Sequence, residues 1–358
     1  MNTQKVIISR NLEEELTVAM ARCERDRLFV LVDDNTQRLC LPLVSGLDCM
    51  AGAQVITIGA TDANKTVSTL EQVWTALQQG GATRHSLLVN LGGGMVTDLG
   101  GFAAATFKRG LNYINIPTTL LAMVDASVGG KTGVNFGGLK NEVGVFSNAS
   151  TVILDTTFLK TMDQENLLSG YAEMLKHGLI SDNKHWAELI DYLDNLDGLN
   201  NLEDTENLKK LSELLARSVA VKQRIVEEDP TEQGLRKALN LGHTVGHAFE
   251  SLALQRKPIL HGYAVAYGLV CELYLSCVKT GFPTDKMRQT VSLIREHYGQ
   301  MSITCDDYPT LLQLMTHDKK NIAGEINFTL LGAIGDIRIN QTATEEDIKE
   351  ALDFYREG

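Results

Sequence analysis

The stretch Asn-Leu-Gly-His-Thr-Val-Gly-His-Ala-Phe-Glu, residues 240–250, is the centre of a segment from 236 to 262 around which the chain is organised. Its histidines, His243 and His247, are four residues apart, so on a helix they project from one face. A third histidine, His261, opens a second apolar stretch after a short turn. Two helices joined in this way can deliver two imidazoles to one metal ion.

The histidine pair alone leaves two interpretations open. A histidine on an apolar helix face is usually a hydrogen-bonded core residue, and the His-Glu-x-x-His sequence of metalloproteases is absent. A catalytic zinc has three protein ligands, so metal binding here needs a further ligand from another part of the chain.

Composition narrows the classes of protein. The chain has 358 residues, of which 44% are hydrophobic, enough for two domains with sizeable cores. Its net charge of −12 argues against a nucleic-acid or membrane-surface partner. Six scattered cysteines without a Cys-x-x-Cys pair suit a reducing compartment, and we expect a cytoplasmic protein. Neither a signal peptide nor a membrane-spanning run is expected.

The first half alternates strand and helix patterns. Apolar runs of strand length cover 28–33, 53–58 and 86–91, and a helical pattern covers 66–79. This alternation predicts a parallel sheet with helices on its faces. Ligands of such sheets bind at the carboxyl ends of the strands.

Glycines follow the third predicted strand. Gly92-Gly93-Gly94 precedes an apolar helix predicted over 99–106, a context typical of a phosphate-binding turn. A simple tight turn is the alternative, because the dinucleotide fingerprint needs glycine or alanine where Thr97 stands. Further glycines near Arg109, Lys131 and Lys140 indicate an anion pocket, although Lys131 does not complete a Walker A motif.

The second half is predicted to be helical. Glu173 and Lys176 lie among apolar residues in a helical segment, which makes Glu173 the best candidate for the third metal ligand. Residues 183–215 are acidic with spaced leucines and are expected to form solvated helix. Alternating apolar residues over 326–330 predict a strand of a hairpin. We therefore predict an α/β fold: an N-terminal Rossmann-like nucleotide-binding domain over 1–165 and a mainly α-helical metal-binding domain over 166–358.

With these motifs in place, the chain resembles the 3-dehydroquinate synthases, of the sugar-phosphate cyclase family, over essentially its whole length. The motifs that carry the resemblance occur in order along the chain: Gly92-Gly-Gly with Asp98, Pro117-Thr-Thr, the run 125–135, Lys140-Asn141, Ser169-Gly-x-Ala-Glu173-x-x-Lys176, Gly234-Leu-Arg236, Asn240-Leu-Gly-His243-x-x-Gly-His247, His261-Gly and Asp318-Lys-Lys.

The resemblance implies Glu173, His243 and His261 as ligands of Zn²⁺ or Co²⁺, with His247 beside the substrate. It implies catalytic or substrate-binding roles for Asp125, Lys176, His247, Arg109, Lys131, Asn141, Lys222, Arg236, Asn240 and Lys319 or Lys320. Among these, Lys222 and Arg236 would face a substrate carboxylate. Arg109, Lys131, Asn141 and Lys319 or Lys320 would hold a phosphate. General acid–base or hydroxyl-orienting roles are implied for Asp125, Lys176 and His247.

The resemblance also implies NAD as a cofactor. The residues expected to contact it are Asp33, Asn35, Asp62, Lys65, Gly93, Gly94, Met95, Val96, Thr97, Asp98, Thr118, Thr119, Lys131, Lys140, Phe158, Leu159, Lys160 and Thr161. One segment departs from the family pattern Asp-Gly-Glu-x-x-Lys, because this chain has Ala60-Thr61-Asp62 before Lys65. The shorter carboxylate predicts weaker binding of the adenosine ribose.

The implied reaction converts a seven-carbon keto-acid sugar phosphate to 3-dehydroquinate and phosphate, a step of the shikimate pathway to aromatic amino acids, in a homodimer. Another sugar-phosphate cyclase would share most of these residues and differ at the carboxylate contacts. A polyol or glycerol-phosphate dehydrogenase would release NADH. A nucleotide-binding regulator without activity is the third alternative, although every expected acid, base and ligand residue is present.

Overall fold

A computed structural model of the chain describes residues 4–23, 25–195, 198–316 and 326–357. The chain forms two compact units. The first comprises Met1–Asp163 with Leu202–Val219, and the second comprises Gln164–Asn201 with Ala220–Gly358. The division after residue 163 lies close to the predicted one after 165, but the segment 202–219 returns to the first unit.

The first unit is built on a six-stranded parallel sheet with the strand order β1-β8-β5-β4-β2-β3. Its strands are β1 (Lys5–Ile8), β2 (Leu28–Asp33), β3 (Gln54–Ile58), β4 (Leu87–Gly92), β5 (Asn112–Pro117) and β8 (Thr151–Leu154). The residues of β2 and β4 are all buried, because helices cover both faces of a parallel sheet.

The helices of this unit are α1 (Leu12–Ala21), α2 (Asp34–Leu39), α3 (Val67–Gln79) and α4 (Gly94–Thr106). The predicted strands and the helix at 66–79 are confirmed to within one residue. The start of α4 was predicted five residues late, because its first turn contains a glycine and follows two more. An antiparallel hairpin of β6 (Lys131–Phe136) and β7 (Leu139–Phe146), which no sequence pattern indicated, follows a π-helical turn at Ala122–Ala126.

The second unit is mainly helical, as predicted. Its helices are α5 (Gln164–Ser181), α6 (Asn183–Asp194), the end of α7 (Thr205–Glu228), α8 (His243–Ala253), α9 (His261–Thr280), α10 (Thr284–Tyr298), α11 (Tyr308–Thr316) and α12 (Glu345–Glu357). The strand expected near 326–330 is confirmed as β9 (Asn327–Ala333), which pairs with β10 (Asp336–Thr342). Across the described residues no helix combines the length and apolar character that crossing a membrane requires.

The expectation of helix over 183–215 is confirmed at 183–194 and from 205 onward, but the expectation that this helix is solvated is wrong. Helix α6 buries Trp186, Leu189 and Ile190 on one face, and the first half of α7 buries Leu211 and Leu215. Acidic residues occupy the opposite faces, so both helices are amphipathic. The acidic composition of the segment therefore did not indicate that one face of each helix is buried.

Candidate active site

The candidate metal centre is built on α5, the most deeply buried helix of the second unit. Glu173 is fully buried there, and its carboxylate forms an ion pair with Lys176, one turn along the same helix. Ser169 lies one turn before Glu173, and its Oγ accepts a hydrogen bond from the Gly262 N–H at 3.1 Å. A Cβ atom at Gly262 would overlap the carbonyl oxygen of Ser169, so glycine lets α9 begin directly against α5.

Both remaining candidate ligands are the first residues of their helices, and each ring has its Nδ1 held. Nδ1 of His243 lies 3.0 Å from the carbonyl oxygen of Leu241, and Nδ1 of His261 lies 3.3 Å from Oε2 of Glu250. A carbonyl and a carboxylate can only accept, so both Nδ1 atoms carry the proton. The Nε2 atoms are therefore the ones that face a metal.

The two Nε2 atoms meet at Glu173. Oε1 of Glu173 is 3.3 Å from Nε2 of His243 and 3.4 Å from Nε2 of His261. One ligand atom from each residue lies within 4.8 Å of the others. His247 stays outside this ligand group, although its ring centroid is 5.3 Å from that of His243. The i, i+4 spacing therefore brings a neighbour, and not the second ligand, to His243.

The donor set fits a divalent cation. Within the described residues neither buried oxygen of Glu173 receives a hydrogen bond of good geometry. Burial by itself would raise the pKa of the Glu173 carboxyl, but the charge of Lys176, followed by that of His243, holds it well below the usual range. An ionised carboxylate beside two Nε2 atoms is a ligand set typical of zinc sites that keep an open position.

The pKa values of the two histidines indicate that this group of side chains favours one positive charge. Burial lowers the pKa of His243 to about 4. Burial also disfavours the charge of His261, but the close carboxylates of Glu173 and Glu250 outweigh burial and raise the pKa of His261 to about 10. Without metal, the proton of His261 therefore supplies the cation that the two carboxylates favour.

Glu250 has a role that the sequence pattern did not predict. It lies on α8, seven residues after His243 and three after His247, so all three share one face of the helix. Its carboxylate orients the ring of His261, as outer carboxylates do at many zinc sites. In the sequence, the indication of this role was that Glu250 is spaced to lie on the same helix face as His243 and His247.

The second unit also buries two further cations expected at the substrate. Lys222 and Arg236 are 5% and 2% exposed, so neither is a surface charge. Nη1 of Arg236 donates to the Pro230 carbonyl at 2.7 Å. Asn240 donates to Glu232 at 3.1 Å.

Arg236 lies in a 3₁₀ segment, Leu235–Asn240, and not on α8. Gly242, in the left-handed region, separates that segment from His243.

In the first unit, the predicted phosphate-binding turn lies at the carboxyl end of β4, with the ends of β2 and β5 on either side of that strand. Gly93 is the N-cap of α4 and has no side chain to offer the first N–H groups of the helix. A Cβ atom at Gly93 would lie 3.2 Å from Cγ2 of Thr119, and one at Gly94 would lie 3.3 Å from Ala126. Thr119 and the π-helical turn that contains Asp125 therefore flank the glycines.

Lys65 connects several of the residues expected at the cofactor. Its Nζ lies 2.5 Å from a carboxylate oxygen of Asp98 and 2.5 Å from Oδ1 of Asn141. Asp62 accepts a hydrogen bond from Asn135 at 3.2 Å and pairs with Lys140 at 3.7 Å. One polar network thus joins four predicted cofactor residues with Asn141; Asn135 is the member that sequence reasoning did not assign.

Other expected cofactor residues have visible structural roles. The Asp33 carboxylate caps α2 by accepting from the Thr36 N–H at 2.8 Å, and Asn35 is exposed on the same helix. Several expected contacts have buried side chains, so their main chain is what a ligand would meet; these are Val96, Thr97, Thr118, Phe158 and Leu159. The last three expected cofactor contacts have different surroundings. Met95 is half-buried, Lys160 pairs with Glu203 at 3.1 Å, and the hydroxyl of Thr161 lies 3.7 Å from the sulfur of Cys40.

Three of the expected phosphate-binding residues lie in the first unit. Arg109 is exposed at the end of a 3₁₀ turn after α4, with a φ of 68°. Lys131 is exposed at the start of β6, and Asn141 lies on β7. Lys319 and Lys320 lie outside the described residues.

Thr61 is strained, and this gives a stability prediction. Its φ of 76° and ψ of 158° fall in a region that is essentially restricted to glycine, and the family pattern has glycine there. We expect Thr61→Gly to raise the free energy of unfolding by about 1 kcal/mol, the relief of strain less the entropic cost of glycine. Urea denaturation of the metal-free protein measures it. Thr231→Gly, at an exposed position without a positive φ, should instead destabilise.

The fold is shared by a class of proteins whose solved members include synthases and dehydrogenases. A 2-epi-5-epi-valiolone synthase from Streptomyces hygroscopicus, solved with NAD⁺ and Zn²⁺, has a TM-score of 0.87 and 24% identity, covering 100% of this chain and 98% of that one. A 2-deoxy-scyllo-inosose synthase gives 0.81 at 24% identity, covering 99% and 96%. A probable glycerol dehydrogenase from Sinorhizobium meliloti gives 0.67 at 15%, covering 99% and 96%.

Sequence makes the narrower assignment. Residues 55–169 match the family model described as 3-dehydroquinate synthase N-terminal, and residues 170–321 match its C-terminal counterpart. A 3-dehydroquinate synthase from Parabacteroides distasonis is 56% identical over 359 residues, covering 100% of this chain and 99% of that protein. One from Clostridium tetani is 33% identical, covering 98% and 92%. The chain belongs to the 3-dehydroquinate synthase family.

Proposed function

We propose that the protein is a 3-dehydroquinate synthase, a phosphate-eliminating lyase that converts 3-deoxy-D-arabino-heptulosonate 7-phosphate to 3-dehydroquinate and phosphate. The observation that carries the proposal is the meeting of Glu173, His243 and His261 at one buried point, in a unit that also buries Lys222 and Arg236. A metal centre and buried cations on the same unit suit a polyhydroxylated acid as substrate.

The residues of the second unit would have separate roles in the reaction. Glu173, His243 and His261 would hold a divalent metal through one carboxylate oxygen and two Nε2 atoms. When bound, this metal would polarise substrate hydroxyl groups, and NAD would accept and return a hydride. Lys176 keeps the Glu173 carboxyl ionised. His247, whose ring lies beside both histidine ligands, would take up and return a proton at a ring nitrogen.

Binding of the substrate would depend on local charges. A net charge of −12 repels an anionic substrate, so local cations must outweigh the global field. Lys222 and Arg236 would bind the carboxylate. The phosphate would be held by Arg109, Lys131 and Asn141, with Lys319 or Lys320, and Asp125 would serve as a general acid or base.

The first unit would hold NAD. The α4 start offers N–H groups to the pyrophosphate, and the Lys65 network lies on the same unit. Asp62 is already engaged by Asn135 and Lys140, so its shorter carboxylate has less freedom to reach a ribose hydroxyl than a glutamate would have.

The test is to incubate the protein with the keto-acid phosphate, a divalent metal and a catalytic amount of NAD. We expect phosphate release over many turnovers with no lasting rise in absorbance at the NADH wavelength, because the hydride returns to the same substrate. Stoichiometric NADH formation from a polyol phosphate would instead identify a dehydrogenase.

Metal binding should release about one proton at neutral pH. The pKa of His261 is raised to about 10, so its ring is protonated until the metal displaces that proton, whereas His243, at about 4, is already neutral. Affinity for Co²⁺ should therefore rise about tenfold per pH unit between roughly pH 6 and 9. Calorimetry in buffers of different ionisation enthalpy counts the proton; a pH-independent affinity contradicts this assignment.

The homodimer and the cytoplasmic location implied by the resemblance remain predictions. Sedimentation of the purified protein tests the first, and fractionation of cells tests the second.

A further inference from the structure

A buried carboxylate on α9 binds the start of α8. Glu272 is fully buried, and its oxygens accept hydrogen bonds from the N–H groups of Gly242 at 2.6 Å, Thr244 at 2.9 Å and Val245 at 3.1 Å. The first N–H groups of a helix have no partner within it and are commonly bound by the side chain of the N-cap residue. Gly242, the N-cap of α8, has no side chain, so Glu272 serves as the cap from another helix.

The main chains of the two helices meet at the same place. Gly268 lies one turn before Glu272 on α9, so both face the same neighbour. A Cβ atom at Gly268 would overlap the Gly242 carbonyl oxygen. Gly242 itself has a φ of 79°, a conformation that glycine adopts without strain. The turn before α8 is therefore held by close packing against Gly268 and by three hydrogen bonds to Glu272.

This turn carries a metal ligand. His243 is the first residue of α8, between two of the residues whose N–H groups Glu272 binds. Its Nδ1 donates to Leu241, on the other side of the same turn. The main chain and the ring of His243 thus both depend on the geometry of the turn.

We infer that Glu272 is a positioning residue that forms the His243 side of the metal site before any metal binds. The inference rests on the proposed metal-dependent function. A ligand that is already in place loses little freedom on binding, which increases affinity. A carboxylate with a purely structural role would contribute stability and leave the intrinsic metal affinity unchanged.

The variant that separates these roles is Glu272→Gln. Glutamine keeps the size but has one acceptor oxygen, and its amide N–H₂ would face a main-chain donor. We expect Co²⁺ affinity to fall by about 10- to 100-fold, the range typical of residues that orient metal ligands. The visible absorption spectrum of the bound Co²⁺ should also change.

The matched control is Asp307→Asn, which alters another buried carboxylate that binds a main-chain N–H. Asp307 accepts from the Thr304 N–H at 2.9 Å, pairs with Arg256 and contacts none of the three ligands. This variant should lose stability and keep the parent's Co²⁺ affinity. Equal Co²⁺ affinities for Glu272→Gln and the parent, or equal losses in both variants, would overturn the inference.

A second measurement needs no variant and decides the question if Glu272→Gln does not fold. Amide hydrogen exchange at Gly242, Thr244 and Val245 in the metal-free parent should already be slow, because Glu272 binds these three N–H groups. Fast exchange that slows only when Co²⁺ is added would show that the metal forms the turn, and would overturn the inference. A parent that binds no Co²⁺ at all would overturn the proposed metal site as well.

Discussion

Replacing either His243 or His261 with alanine will lower the affinity for Zn²⁺ by more than about 100-fold, beyond the loss expected for a residue outside the ligand set. Each removes one of the two Nε2 atoms that lie 3.3 Å and 3.4 Å from Glu173. Metal analysis after dialysis measures the effect. Both variants should lack phosphate release while remaining folded, because α8 and α9 bury their own apolar faces.

His247→Ala is the matched control for the metal prediction. It removes an imidazole from the same helix, with its ring 5.3 Å from His243, but outside the ligand group. This variant should keep its metal and lose turnover. Full metal occupancy in both His243→Ala and His261→Ala would contradict the prediction that these histidines are metal ligands. Unfolding of the parent by a chelator would point to a structural metal.

Arg236→Ala should weaken the use of the keto-acid phosphate by about 10- to 100-fold, the value of a charge-assisted hydrogen bond to a carboxylate. The guanidinium is buried at 2% exposure, where water cannot replace it as a partner for the substrate. Lys222→Ala should act in the same direction. The measurement is kcat/KM for the keto-acid phosphate, beside the affinities for NAD and Co²⁺, which should stay nearly unchanged.

The neighbouring Lys237 provides the control for charge. Its Nζ bonds to Asn340 at 2.9 Å, and we expect Lys237→Ala to behave like the parent. Arg236→Lys keeps a charge at the site, and thermal denaturation separates lost stability from lost recognition. If Arg236→Ala and Lys222→Ala both turned over the keto-acid phosphate at the parent's rate, another carbocycle-forming cyclase would replace the proposed function.

The sequence predicted three of the six strands of the parallel sheet, β2, β3 and β4, because strands buried on both faces are continuous apolar runs, as at 28–33 and 86–91. The strands β1, β5 and β8 were not predicted. It did not predict the β6–β7 hairpin. Its second strand is exposed throughout and mixes charged, polar and apolar residues without alternation. The start of α4 was predicted five residues late, because glycine is a poor helix former and the helix begins at Gly94.

The candidate site was only partly predictable from residue patterns. Spacing placed His243 and His247 on one helix face, but it contains no information about which ring meets Glu173 on α5. That choice came from the resemblance, and the geometry at Oε1 of Glu173 agrees with it. Contacts to the main chain, such as that of His243 with Leu241, leave no trace in the residue pattern.

The close approach of α9 to its neighbours has a consequence for reading mutational scans of this protein. A side chain at Gly262 would overlap Ser169, and one at Gly268 would overlap Gly242, in each case at a main-chain oxygen. A scan of all substitutions would therefore find these glycines as intolerant of change as the metal ligands, although glycine has no reactive group. Assays that score growth alone would overestimate the number of chemically active positions, whereas scoring protein abundance alongside growth would separate the two kinds.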